Sequence, residues 1–172
     1  MSMAAAQADV LRPEGFRRVA RWLAERSHRH QPRWLDAAAR TCEDAATALE
    51  VQTGQIAKSV IFRHLIDGVA VLVVTSGDRR VDLHKVAAQL GLAPAELGRA
   101  DAVFVKQQTG FSIGGVAPVA HACAPVVLVD RELFRFDEVW AAAGHPHGVF
   151  CLSPAELVAL TGAPVADVVE VL

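Results

Sequence analysis

Gln55-Ile56-Ala57-Lys58-Ser59-Val60-Ile61-Phe62-Arg63-His64-Leu65-Ile66, Asp67-Gly68, Val69-Ala70-Val71-Leu72-Val73-Val74-Thr75 is the passage that sets the architecture. Its two runs are rich in β-branched residues with a period of two, and Asp-Gly between them supplies the positive φ angles of a tight hairpin turn. Upstream, Thr41 is a good N-cap for a helix with acidic Glu43 and Asp44 in its first turn, and Gly54 closes that region. Further upstream, residues 13–29 predict an amphipathic helix. Phe16, Val19, Ala20 and Leu23 share one face, Arg17, Arg21 and Glu25 the other, and Pro32 ends it. Downstream, residues 82–90 predict a helix stopped by Gly91, and a helical stretch can start after Pro94. Asp101 caps 102–109, which Gly110 stops. Residues 111–118 hold Gly114, Gly115 and Pro118 and so form a shaped loop. Strands follow at 126–130 and 149–152. Ser153-Pro154-Ala155-Glu156 is then a capping box for a last helix ending near Gly162. Helices and short strands intermix, with no repeat or linker, so the expectation is one α+β domain over 1–172 with 1–35 as an N-terminal helical extension.

The whole chain agrees with that reading. Its 172 residues are 52% hydrophobic and 21% charged, enough for a sizeable core and too apolar for intrinsic disorder. The longest apolar runs, 69–74 and 122–129, fall far short of the roughly 18–20 residues that cross a bilayer. The opening residues 1–12 contain Asp9 and no sustained apolar run, so no secretory signal is expected and the protein is placed in the cytoplasm. Cys42, Cys123 and Cys151 are odd in number and form no Cys-x-x-Cys pair, which fits neither a disulfide framework nor a zinc ribbon. The net charge of −2 is unevenly spread. Residues 1–40 carry eight arginines against four acids, whereas 41–172 carry nine basic residues against fifteen acidic ones. Such asymmetry marks either a nucleic-acid contact or a solvated helix face, and binding that weakens with added salt identifies the former.

Three features go beyond composition. Lys58 shares a strand face with Ile56, Val60 and Phe62, so it either snorkels out at a sheet edge or serves an anionic or carbonyl-bearing ligand in a cleft. Gly114-Gly115-Val116-Ala117-Pro118 lets backbone approach a ligand closely, and its N–H groups can donate to a carbonyl or phosphate oxygen; the alternative is a plain connecting turn. His121, three residues beyond Pro118, reaches the same surface or is a hydrogen-bonded structural histidine.

Sharper motifs fail. Gly110-Phe111-Ser112-Ile113-Gly114 matches the serine-hydrolase pattern, but a helix precedes it where a strand is needed, which disfavours Ser112 as a nucleophile and leaves its hydroxyl as a substrate contact. Ala57-Lys58-Ser59 lacks the glycine of a phosphate-binding loop and lies in a strand. His28-x-His30, His145-x-His147 and His121-x-Cys123 have no third ligand nearby in sequence, so neither a metal nor a cofactor is expected. A zinc nucleobase deaminase pattern is missing as well.

Taken together, Gln55–Phe62 and Thr109–Pro118 resemble the YbaK/prolyl-tRNA-synthetase-associated editing-domain family. The resemblance runs from about Asp36 through Thr41-Cys42-Glu43-Asp44-Ala45-Ala46 to the 157–168 region. It implies a mixed barrel-like sheet surrounded by helices, and a free-standing trans-editing deacylase that removes wrong amino acids from tRNA, commonly tRNA for proline. Lys58 matches the family's active-site lysine. Gly114, Gly115 and Pro118 match its substrate-binding loop, with Ser112 beside them, and His121 matches a histidine of some branches. Many members carry glycine where this chain has Glu50 and Ala120, and the 148–151 strand lacks the acidic residue of the cysteine-removing branch. A Cys-tRNA(Pro) substrate is therefore disfavoured relative to alanine, serine or another small residue.

The expected chemistry needs no covalent nucleophile, because the substrate is an activated ester. Lys58 would hold its carbonyl or terminal phosphate while Gly114 and Gly115 donate to the scissile ester, and a ribose hydroxyl would help activate water. Arg17, Arg18 and Arg21 would meet tRNA phosphates. The implied partners are mischarged tRNA and, as a candidate, prolyl-tRNA synthetase, with no membrane and no DNA. Two alternatives stay open: a module that binds aminoacyl-tRNA or a synthetase without cutting, and a serine esterase using Ser112.

Overall fold

The computed structural model describes residues 11–172 and contains five α-helices and one eight-stranded mixed sheet among them. The helices are α1 (Glu14–Glu25), α2 (Cys42–Leu49), α3 (Leu83–Leu90), α4 (Ala102–Thr109) and α5 (Pro154–Thr161). The strands are β1 (Arg33–Trp34), β2 (Ile56–His64), β3 (Ala70–Ser76), β4 (Leu97–Arg99), β5 (Val126–Asp130), β6 (Val139–Ala142), β7 (Gly148–Leu152) and β8 (Val165–Ala166). Strand order is β1-β7-β6-β2-β3-β5-β8, with β4 added to β2. The first ten residues, with most of the stretch read above for a signal, lie outside the described residues. Among those described, no helix is long and apolar enough to cross a membrane.

Local signals account for most helix ends. Thr41 Oγ1 accepts from Asp44 N–H, Asp101 accepts from Phe104 N–H and Ser153 Oγ accepts from Glu156 N–H, each meeting a helix donor that has no partner within its helix. Helix α1 ends earlier than its periodicity suggests. Ser27 adopts φ 54°, and the N–H groups of Ser27 and His28 turn back to the carbonyls of Ala24 and Leu23, a Schellman stop made by serine rather than glycine.

The hairpin forms where expected, but its turn is longer than Asp-Gly alone. His64 N–H donates to Val69 O, Gly68 N–H donates back to His64 O, and only Gly68 takes a positive φ. Asp67 Oδ1 instead accepts from Val69 N–H at 2.9 Å and lies 2.7 Å from His64 Nδ1, which stabilises a four-residue loop over a two-residue one. After Pro94 a single 3-10 turn leads into β4, not into a helix.

β3 is buried on both faces. Leu72 and Val74 pack with Phe16, Val19 and Leu23 of α1, Phe111, Phe150 and Leu157, while Val71 and Val73 pack with Val86 and Ala87 of α3 and with Val168. α1 therefore contributes to the main core.

Candidate active site

β2 is shared between two partners on the edge away from β3. Ile56 and Ala57 pair in parallel with Trp140 and Ala141 of β6, and 62–64 pair antiparallel with 97–99 of β4. Between them, residues 58–61 have no ladder partner on that edge, and all four line a cavity of about 440 Å³. The hollow exists because two strands abut the same edge without meeting, which leaves outward backbone groups of β2 to face a ligand.

Lys58 lies opposite Thr75 in the β2–β3 ladder and lines this cavity. Its Nζ donates to Arg79 O at 2.6 Å. The acceptor is itself anchored. Arg79 N–H closes a turn onto Ser76 O at 3.0 Å, and Ser76 Oγ bonds Gly54 O and Asp78 Oδ1. Arg135 reaches both Ser76 Oγ and Asp78 Oδ1 at 2.8 Å. Burial opposes the charge of Asp78, but Arg135, Ser76 and Arg79 together hold its carboxyl below the usual range. The lysine thus sits at a fixed point of the wall.

Gly114 and Ile113 face the same cavity as Lys58. Ser112–Gly115 is a turn closed by Gly115 N–H to Ser112 O at 3.1 Å, with Gly114 at φ 93° in its third position, the type II pattern. The two glycines have different tasks. Gly114 supplies the positive φ, and its N–H has no partner among the described residues. Gly115 has its N–H engaged, so the expected pair of donors reduces to one. A Cβ on Gly115 would lie 2.6–2.8 Å from backbone atoms of His145, so glycine allows the turn to seat against the 143–147 segment.

That contact brings in residues that the sequence reading does not assign to the site, although it weighs His145 as half of a ligand pair. His145 lines the cavity and stacks on Trp34 with centroids 4.8 Å apart. Its Nδ1 accepts from His147 N–H, which leaves the proton of the neutral ring on Nε2. Burial, then the neighbouring His147, lower its pKa. Arg40 and Cys42 come from the start of α2. Burial pushes the Cys42 thiol up, against the pull of nearby Lys58.

Other expected residues lie elsewhere. Ser112 is exposed beside the cavity, and among the described residues nothing bonds its hydroxyl. Pro118 and His121 line a second hollow of about 420 Å³ with Arg18 and Trp22. His121 Nε2 is 2.7 Å from Ala117 O, and burial lowers its pKa. Of the three arginines, Arg17 and Arg21 are exposed. Arg18 donates to Thr109 O and lies over the Phe111 ring at 4.3 Å.

A family model described as the aminoacyl-tRNA editing domain matches residues 36–160. The chain is 38% identical over 117 residues to the uncharacterized protein YwhH of Bacillus subtilis, covering 68% of this chain and 72% of that one. It is 31% identical over 94 residues to a proline–tRNA ligase of Thermoanaerobacter, a match of 55% of this chain but 16% of the ligase. Among solved structures, a candidate trans-editing enzyme for prolyl-tRNA synthetase superposes with a TM-score of 0.85 at 39% identity, covering 93% of this chain and 99% of that one.

Proposed function

The chain belongs to the aminoacyl-tRNA editing domain family, and from that membership we propose that it is a free-standing cytoplasmic deacylase hydrolysing the ester of a wrongly attached small amino acid on tRNA, with tRNA for proline as the adaptor. The observation that supports the reading is that Lys58 and Gly114, whose N–H has no partner among the described residues, line one cavity. Water attacks the ester carbonyl carbon, the bond to the ribose oxygen breaks, and that oxygen takes up a proton. Lys58 holds the carbonyl or the terminal phosphate from its anchored position. Gly114 N–H donates to the oxygen on which charge develops, and a preorganised donor there lowers the barrier without reorganising. Ser112 and Arg40 are proposed contacts at the mouth, and Pro118 and His121 act through the loop that carries the glycines. A ribose hydroxyl of the substrate assists water, since Cys42 and His145, although both on the wall, are not hydrogen-bonded to each other as a nucleophile and its base. Arg17 and Arg21 contact tRNA phosphates, and prolyl-tRNA synthetase is the candidate protein partner.

Selection is by size. A single methylene changes binding by only about 1–3 kcal/mol, so synthetases that confuse small residues need a second sieve. The mostly apolar wall of this cavity is such a sieve.

The test is a panel of mischarged tRNAs, including alanyl-, seryl- and cysteinyl-tRNA(Pro), incubated with the native chain and with Lys58→Ala. The native chain is expected to release a small amino acid, and the variant to do so at least about a hundredfold more slowly. Binding without release would instead identify a non-catalytic module. Loss of activity in Ser112→Ala with retention in Lys58→Ala would identify a serine esterase.

A further inference from the structure

A second cluster of chemically active side chains lies outside both cavities. One ring nitrogen of His30, a carboxylate oxygen of Glu138 and Sγ of Cys151 all lie within 4.8 Å of one another. They come from the strap after α1, the residue before β6, and the last residue but one of β7. His28-x-His30 has no third ligand nearby in sequence, but the fold supplies two from more than a hundred residues away.

His28 is already engaged, its Nε2 lying 2.8 Å from Cys151 O. His30 is not: its Nε2 is shut off from solvent and has no hydrogen-bond partner among the described residues. An orphaned buried ring nitrogen is costly, and a metal ion is a partner that imidazole, thiolate and carboxylate accept together. Arg29, a neighbouring cation, is tied to Glu156 by hydrogen bonds of 2.9–3.1 Å. A thiolate and a carboxylate balance the charge of a divalent ion. Tetrahedral zinc, with ligands at about 2.0–2.3 Å, sets its donors roughly 3.4–3.6 Å apart. The three donors, within 4.8 Å of one another, have to close by up to about an ångström to reach that spacing, and the exposed Glu138 side chain is free to turn toward the other two.

We infer that His30, Glu138 and Cys151 form a binding site for one divalent ion of the zinc class, with solvent as the fourth ligand on the exposed side of Glu138. Binding replaces the Cys151 thiol proton, which goes to solvent, and staples the strap after α1 to the β6–β7 hairpin. The inference does not rest on the proposed deacylase activity.

The test uses the full chain stripped by chelator and titrated with Co²⁺ as an optical stand-in. The expected result is one equivalent bound, thiolate-to-cobalt charge-transfer absorption, and displacement of that absorption by Zn²⁺. Cys151→Ser should remove the band. His30→Ala, in a half-exposed strap that folds regardless, should weaken binding tenfold or more, and Glu138→Gln should weaken it in the same direction. No band in the native chain, a band that survives Cys151→Ser or disappears with Cys123→Ser, or unchanged affinity in His30→Ala overturns the site. Should Cys151→Ser not fold by circular dichroism, the other two variants decide.

Discussion

Two adjacent glycines in this protein do unlike work, and substitution separates them. The Cβ of Gly115→Ala would sit 2.6–2.8 Å from the main chain of His145, which cannot swing aside as a side-chain tip can. Either the turn or the 143–147 segment must move. The expected cost is about 1–3 kcal/mol, the range for overpacking a tight contact, seen as a lower denaturant midpoint. Because Gly114 and His145 both line the cavity, the proposed deacylation should also fall tenfold or more. Wild-type stability and rate in Gly115→Ala would show that the contact does not seat the turn. Backbone conformation also explains the departures at Glu50 and Ala120. Both adopt left-handed φ, 58° and 62°, so the glycine that many family members carry there suits the local geometry. Lys58 and the double glycine were readable because each breaks a local pattern, a cation among apolar neighbours and paired glycines after a helix. Arg40, Cys42 and His145 broke none. Their place on the cavity wall follows from which loops the fold brings together.

At the scale of elements, the site depends on β2 keeping its register while the turn after β3 holds Arg79 O in place. Asp130, the last residue of β5, ties these together. Fully buried, it accepts from Thr75 Oγ1 at 2.7 Å, Ser76 N–H at 3.2 Å and Glu132 N–H at 2.9 Å. Thr75 is the cross-strand partner of Lys58, and Ser76 begins the turn that supplies the lysine's acceptor. Asp130→Ala orphans three donors at once and is expected to destabilise the fold by about 2–4 kcal/mol in urea titration. Asp130→Asn, which keeps an acceptor, should cost less. Equal losses in the two variants would mean that the hydrogen bonds are not what the carboxylate contributes. Elements with strong punctuation were legible: α2, α4 and α5 start at the residues that cap them, and β5 ran as expected. The two-residue strands β1 and β8 carry too few positions to show a period. Val139-Trp140-Ala141-Ala142 of β6 is apolar throughout and shows no alternation in its residue types, although Gly144 and Pro146 mark the turn after it, and the parallel pairing of β6 with β2 that walls the cavity is a long-range fact no local signal encodes.

Across the whole molecule, the family match begins at residue 36, yet α1 lies in the main core and the strap behind it is fastened to the opposite end of the chain. Arg29 grips Glu156 through Nε and a terminal nitrogen, His28 Nδ1 is 3.6 Å from the same carboxylate, and His28 Nε2 is 2.8 Å from Cys151 O. Glu156 also closes the capping box of α5 by accepting from Ser153 N–H. The Arg29 hydrogen bond leads, burial opposes it, and the Ser153 contacts add to it, so that the Glu156 pKa falls from an ordinary 4.5 to about 2. A carboxyl depressed on folding contributes stability that is complete above its unfolded pKa and is lost as pH falls through the folded one. The pair should therefore hold the strap fully at neutral pH and release it progressively between about pH 4.5 and pH 2. Arg29 is exposed, so salt should weaken the effect. In thermal melts, wild type should lose more Tm between pH 6 and pH 3 than Glu156→Gln, which starts lower but lacks this titration, and the gap between them should narrow in high salt. If both lose Tm in parallel at low salt, the strap and helix α5 are held together by core packing alone and the strap contacts are incidental to stability.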